Sequence, residues 1–329
     1  MSTPLLDISR LTVSFATRTG EARVLDGVEL TVAPREAVAL VGESGSGKSM
    51  TALAVMGLLA ASPGIRTAGS IRFDGEELVG MPEKTIRRLR GRRIGMIFQD
   101  PMSSLNPVLT IGRQLTEHLR YHLGMGKAES RARAIELLEH VGIPDPATRI
   151  DSYPHQFSGG MRQRAMIAMA IACKPDLLIA DEPTTALDVT VQSEIIALVM
   201  RLRAESGMSV LWITHDLASI AGLADRVAIM YGGRVVESAP VDAVFGGAAH
   251  PYTRALLAAA PTLTTPRDQS LFAIDGHPPD PAARAPGCAF APRCREAVAQ
   301  CRSEQPPSEA LRPGHHAACF LAAELLLKR

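Results

Sequence analysis

Val38-Ala39-Leu40-Val41-Gly42-Glu43-Ser44-Gly45-Ser46-Gly47-Lys48-Ser49 is the stretch on which the reading of this chain turns. Four consecutive apolar residues closed by glycine read as a strand buried on both faces. The eight residues from Gly42 fit G-x-x-x-x-G-K-[ST], and a helical stretch follows. Glycines in such a loop let backbone N–H groups converge on phosphate oxygens with no Cβ in the way. A helix beginning near Lys48 adds its positive end, equivalent to about half an elementary charge. The pattern places Lys48 on the β- and γ-phosphates of a nucleotide and the Ser49 hydroxyl on Mg²⁺. Gly42, Glu43, Ser44, Gly45, Ser46, Gly47, Lys48, Ser49 and the adjoining Met50 are therefore candidate nucleotide-binding residues.

Around this loop the texture alternates. Leu11–Phe15 and Val28–Val32 read as strands about a turn at Thr19-Gly20. Ile94–Phe98, Leu177–Ala180, Val210–Ile213 and Val227–Met230 repeat the short apolar run, with helical segments between most of them. An α/β fold with a mostly parallel sheet follows, a P-loop NTPase core. Between Pro101 and Pro175 strands disappear, and Thr110–Leu123, Lys127–Val141 and Gly159–Cys173 read as helices. We expect a nucleotide-binding domain over 1–260, with a helical subdomain inserted at about 101–175. From Pro261 to Cys319 Pro, Ala, Gly, Arg and Cys dominate and periodicity is weak, so 261–329 is expected to be a loop-rich, cysteine-containing appendage.

The 329 residues are 46% hydrophobic and 21% charged, an ordinary globular composition. Lys+Arg 35 against Asp+Glu 34 offers no polyelectrolyte signal for nucleic acid or an anionic membrane. No apolar run approaches 18 residues, and no basic segment with an apolar core opens the chain, so a cytosolic location is expected.

Two acids close the run Leu177-Leu178-Ile179-Ala180-Asp181-Glu182, at the sheet edge where open α/β sheets bind ligands. Asp181 is the candidate for the Mg²⁺ shell and Glu182 for the general base. His215, after the next strand, is a candidate contact for the γ-phosphate. Gln99, at the end of the Ile94–Phe98 run, is placed to reach Mg²⁺ or the attacking water.

Phe157-Ser158-Gly159-Gly160-Met161, opening a helix upstream of the acidic strand, resembles the ABC transporter signature. With it, Gln99 resembles the Q-loop glutamine, Thr185-Ala186-Leu187-Asp188 the D-loop and His215 the switch histidine, in family order over roughly residues 5–260. The resemblance implies an ATPase whose subunits close head-to-tail around ATP. Ser158, Gly159 and Gly160 would then serve the opposite subunit's nucleotide, a helix N-terminus being an anion site, and Asp188 would be a further nucleotide-binding residue. Phe15, at the family's A-loop position, would stack on the base.

Gln99-Asp100-Pro101-Met102-Ser103-Ser104-Leu105-Asn106-Pro107, His250-Pro251-Tyr252-Thr253-Arg254-Ala255-Leu256-Leu257 and Pro286-Gly287-Cys288 resemble the dipeptide/oligopeptide/nickel importer subfamily. That resemblance implies peptide import, with a second ABC ATPase as heterodimer partner, two transmembrane permease subunits, an external substrate-binding protein and no nucleic acid. It also implies a peripheral place on the cytoplasmic face of the membrane. The alternatives are an ATPase for nickel or another small solute, an exporter or lipid-transporter ATPase, or a soluble ABC ATPase acting on ribosomes or nucleic acid. Soluble ABC ATPases usually carry two cassettes or a long coiled coil, and this chain shows one cassette and no sustained heptads.

Cys288, Cys294, Cys301 and Cys319 are separated by five, six and seventeen residues, too loosely for a zinc ribbon of paired C-x-x-C. Four thiolates suit Zn²⁺ or a 4Fe-4S cluster, and the subfamily resemblance implies the cluster. With so little apolar periodicity nearby, the metal is expected to supply folding energy. His315 and His316 read as solvated loop residues.

Overall fold

The computed structural model describes residues 3–18, 20–59, 64–185, 187–260 and 273–327. The chain folds as two units. One comprises the chain up to Val32, Ala37–Gly80 and the residues from Thr214 onward; the other comprises Ala33–Glu36 and Met81–Ile213.

The first unit holds a four-stranded antiparallel sheet in the order Gly20–Val32, Leu6–Thr17, Ile65–Phe73, Glu76–Glu77. Its register shifts after Ser9, where Arg10 takes φ 49° opposite Gly69 at φ 95°. A Cβ at Gly69 would overlap the Arg10 carbonyl, so the bulge requires glycine there. The strand expected over Leu11–Phe15 lies within Leu6–Thr17; of the turn read at Thr19-Gly20, Thr19 lies outside the described residues.

The same unit carries the strands Glu309–Arg312, His315–Ala317, Arg234–Pro240, Arg226–Tyr231 and Ala37–Val41 in that order. Ala37–Val41 runs parallel to Arg226–Tyr231, the other pairings antiparallel. Every side chain of Ala37–Val41 is buried, the expected state of an uninterrupted apolar run. The tail thus contributes two strands to this sheet. Its Phe290 packs on Tyr231 and Tyr252, with ring centroids 5.2 and 5.3 Å away.

The second unit has three parallel strands, Ile94–Ile97, Leu177–Asp181 and Ser209–Thr214. The helices expected from periodicity are Ile111–Leu123, Lys127–His140 and Gly159–Ile171. Thr110 caps the first by accepting from the Arg113 N–H, and Gly124 ends it at φ 67°. Helix Val189–Ser206 is capped by Asp188 and stopped by Gly207 at φ 72°.

Candidate active site

In the first unit the strand Ala37–Val41 delivers the phosphate-type loop, and helix Lys48–Val55 leaves it. A Cβ at Gly42 would overlap the Met230 carbonyl oxygen and stand 2.8 Å from Ser46 Oγ. Gly47, the residue before the helix, has φ 106°, and a Cβ there would lie 2.6 Å from Leu25 Cδ2. Gly42 is required by close packing against backbone, and Gly45 and Gly47 by their φ of 79° and 106°. No side chain caps the helix at Gly47, and the positive end of a helix attracts an anion.

Lys48 is buried and folds back along the loop, its Nζ donating to the Gly42 carbonyl at 2.7 Å and the Glu43 carbonyl at 3.0 Å. The Ser46 hydroxyl is buried and makes no hydrogen bond among the described residues. A buried hydroxyl in that state is costly in a finished core and sensible in a loop built around a polar ligand. A nucleotide's phosphates therefore fit this loop. Ser49 and Met50 open the helix half-buried, and Phe15 is half-buried in its strand, opposite Ala22 and Ile65.

The second unit gathers Gln99, Asp181, Glu182 and Thr185. Asp181 ends its strand with its side chain buried. Glu182 follows at φ 44°, a left-handed backbone rare for a residue with a side chain. Its N–H donates to the Ile213 carbonyl at 2.9 Å. Its Oε2 accepts from Gln99 Nε2 and from Thr185 Oγ1, each at 3.1 Å. The Gln99 strand itself stops at Ile97, two residues earlier than its apolar run suggests with Gln99 as terminus.

In the same unit Ser158 and Gly159 are exposed at the start of helix Gly159–Ile171, where Ser158 Oγ accepts from the Met161 N–H at 3.3 Å. A Cβ at Gly160 would press on Val191 Cγ1 at 3.2 Å. Asp188 Oδ1 accepts from the Val191 N–H at 2.9 Å, so its side chain is a helix cap. Ala186, within the D-loop-like segment, lies outside the described residues. His215, in the first unit, is exposed just after the strand Ser209–Thr214.

In the tail, Cys288, Cys294, Cys301 and Cys319 line one small cavity with Phe290 and Phe320. Burial, reinforced by the neighbouring thiols, pushes the Cys288, Cys294 and Cys319 thiols up, Cys319 to about 11. Among the described residues, no three His, Cys, Asp or Glu side chains are grouped closely enough to hold a metal ion as they stand. Phe290, Ala317, Ala322 and Leu325 of the tail are buried, Phe290 against Tyr231 and Tyr252 and the two alanines beside Ala249.

His315, read as a solvated loop residue, is instead buried in a strand, its Nε2 2.8 Å from Glu237 Oε1. The sequence offered no sign of Glu237, which also accepts from the Ala249 and His250 N–H groups. Burial raises its pKa, but these bonds outweigh that and hold it below the usual carboxylate range. Thr185 and Tyr252 were also missed as local contacts. Tyr252 accepts from the Glu43 N–H at 2.9 Å, a pairing across 209 positions that no spacing rule anticipates.

A strand-to-helix phosphate loop with a buried lysine defines a P-loop nucleotide-binding protein. Residues 25–185 match the family described as "ABC transporter", and 236–301 match "Oligopeptide/dipeptide transporter, C-terminal region". A Brucella abortus (strain 2308) protein named "Putative peptide import ATP-binding protein" is 53% identical over 303 residues, spanning 92% of this chain and 91% of its own. A Brucella melitensis biotype 1 protein of the same descriptive name is 49% identical over 332 residues, 98% of each chain. The solved dimer of the ATP-binding cassette MJ0796 in a post-hydrolysis state with ADP and Pi is similar with a TM-score of 0.65. It is 27% identical and matched over 72% of this chain and 98% of that one. The cbiO1 structure from Clostridium perfringens, part of the ABC transporter complex cbiONQ, is similar with a TM-score of 0.62. It is 27% identical and matched over 74% of this chain and 92% of that one.

The chain belongs to the ABC transporter ATP-binding proteins, in the group that carries the oligopeptide/dipeptide transporter C-terminal region. It has the ABC ATPase fold and is an ATP hydrolase that uses ATP with Mg²⁺. Among the described residues no helix is long and apolar enough to cross a membrane.

Proposed function

We propose that this chain is the ATP-hydrolysing subunit that powers import of di- or oligopeptides, acting at the cytoplasmic face of the cell membrane. The observation that carries this reading is the phosphate loop, with its buried Lys48 and unpartnered Ser46 hydroxyl, in a chain whose tail is of the oligopeptide/dipeptide transporter type. The names of the Brucella relatives support peptides over nickel or another solute.

In this reading Lys48 and the loop N–H groups hold the phosphates, and Phe15 stacks on the base. Ser49, Gln99 and Asp181 hold Mg²⁺, which when bound offsets charge on the phosphate oxygens. Glu182 takes the proton of the attacking water, and His215 positions that water against the γ-phosphate. Ser158, Gly159 and Gly160 serve the nucleotide of a second, similar ATPase, with Asp188 a further nucleotide-binding residue, so the working form is a heterodimer. Two permease subunits and an external substrate-binding protein complete the importer.

The decisive experiment is reconstitution of the complex in vesicles, followed by uptake of a labelled tripeptide, a labelled dipeptide and nickel. ATP-dependent uptake of either peptide supports the reading. Uptake of nickel alone, or recovery of the chain on ribosomes or nucleic acid instead of with permeases, overturns it.

The four cysteines are assigned to a 4Fe-4S cluster, with Zn²⁺ as the alternative. Their convergence on one cavity supports this, and binding the metal would require each thiol to lose its proton. Anaerobic purification with iron, sulfide and zinc analysis decides between them. Stoichiometric zinc without iron overturns the cluster.

A further inference from the structure

We propose that Arg293, far from the loop in sequence, is a positioning residue for the phosphate-binding loop, acting through Glu43. Its guanidinium makes a two-pronged ion pair, NH1 to Glu43 Oε2 at 2.7 Å and NH2 to Glu43 Oε1 at 3.1 Å. The remaining N–H groups go to the Asp275 carbonyl (2.8 Å), the Ile274 carbonyl (3.0 Å) and the Tyr231 hydroxyl (3.2 Å). All five donors of the fork are thus used. The Arg293 side chain is 6% exposed, which separates this pair from the loose surface bridges that contribute little.

Glu43 is held at three points. Arg293 grips its carboxylate, Tyr252 Oη accepts from its N–H at 2.9 Å, and its carbonyl accepts from Lys48 Nζ at 3.0 Å. A pull on Glu43 therefore reaches the lysine that meets the phosphates. The tail end of this linkage is equally fixed. Arg293 sits in the turn between Cys288 and Cys294, where the Ala291 N–H donates to the Cys288 carbonyl at 3.0 Å and the Cys294 N–H to the Ala291 carbonyl at 3.3 Å. The cysteine-bearing turn and the nucleotide loop are one hydrogen-bonded assembly.

This inference rests on the nucleotide reading of the loop. The test measures equilibrium MgATP binding, the KM and kcat of hydrolysis, and thermal unfolding for the full chain and for Arg293→Ala, Arg293→Lys, Glu43→Gln and the Arg293→Ala/Glu43→Gln pair. Arg293→Ala and Glu43→Gln are each expected to weaken ATP binding about tenfold, the scale of one charge-assisted hydrogen bond. The double variant is expected to be no weaker than either single, because both break one linkage. Arg293→Lys, which keeps charge but loses the fork, should fall between Arg293→Ala and the unmodified chain. The effect should appear in KM more than in kcat. ATP affinity unchanged in Arg293→Ala, or full additivity in the double variant, overturns the proposal. So does a lowered unfolding midpoint with no change in affinity. Lys48→Ala serves as the control for the underlying reading: if it binds ATP normally, the nucleotide assignment of the loop itself fails.

Discussion

Gln99 Nε2 and Thr185 Oγ1 both donate to Glu182 Oε2, each at 3.1 Å, so the side chain proposed as the general base is oriented by two neighbours of its own unit. The substitution Glu182→Gln keeps a carbonyl oxygen as acceptor for these donors and removes the basicity. Turnover should fall by about 10²- to 10⁴-fold, the usual contribution of a positioned base. ATP binding should survive. Phosphate release and equilibrium nucleotide binding measured side by side check this, and near-normal turnover would reassign the base.

Glu182 is also a point of backbone strain. At φ 44° a side chain costs about 1–2 kcal/mol relative to glycine. Glu182→Gly and Glu182→Ala should both abolish hydrolysis, yet the glycine variant should be the more stable by about 1 kcal/mol despite its greater unfolded-state entropy. Chemical denaturation of the two variants decides; the opposite order would show that the conformation relaxes once the glutamate is gone.

Two glycines of the loop should fail for different reasons. Gly42→Ala places a Cβ into the Met230 carbonyl, a clash with backbone that cannot rotate aside. Gly45→Ala meets no atom within 4 Å and pays only for its φ of 79°. ATP binding should be lost in the first and reduced in the second by no more than the ~1–2 kcal/mol of the left-handed penalty. Titration of a fluorescent ATP analogue distinguishes them, and equal losses would mean that conformation, and not space, governs the loop.

His250 predicts an acid limit to stability. Burial lowers its pKa from 6.5 to about 4, with the Glu237 carboxylate opposing. Its Nδ1 accepts from the Tyr252 N–H at 3.1 Å, a bond that requires the neutral ring. With the folded pKa below the unfolded one, the unfolded chain binds the extra proton. This contribution is therefore fully present above about pH 6.5 and is lost as pH falls toward 4, in total about 3 kcal/mol. His250→Asn keeps an acceptor for Tyr252 but cannot titrate. Unfolding free energies between pH 7.5 and 4.5 should show a shallower slope for that variant, and parallel slopes would exclude His250 as the source.

The elements most legible in the chain were those whose local pattern and final environment agree. Ala37–Val41, Leu177–Asp181 and Ser209–Thr214 are continuous runs that end up buried throughout. Ile65–Phe73 escaped notice because Arg66, Thr67, Gly69 and Ser70 dilute its apolar residues, and much of it stays exposed. Its strand character comes from pairing along Leu6–Thr17. His315–Ala317 is three residues long and acquires its structure from Arg234–Pro240 and from Glu237 beneath it.

Short-range chemistry was therefore written in the chain. The order of glycines, Lys48 and Ser49 dictates a phosphate loop, because the backbone geometry that gathers N–H groups requires those residue types at that spacing. The tertiary structure alone decided which distant groups hold that loop. Arg293 meets Glu43 across 250 positions, and Tyr252 meets it across 209. Nothing local prescribes either pairing: the arginine finds its acceptor, and the tyrosine hydroxyl its donor, only when packing has removed both from water and left each other as the available partner.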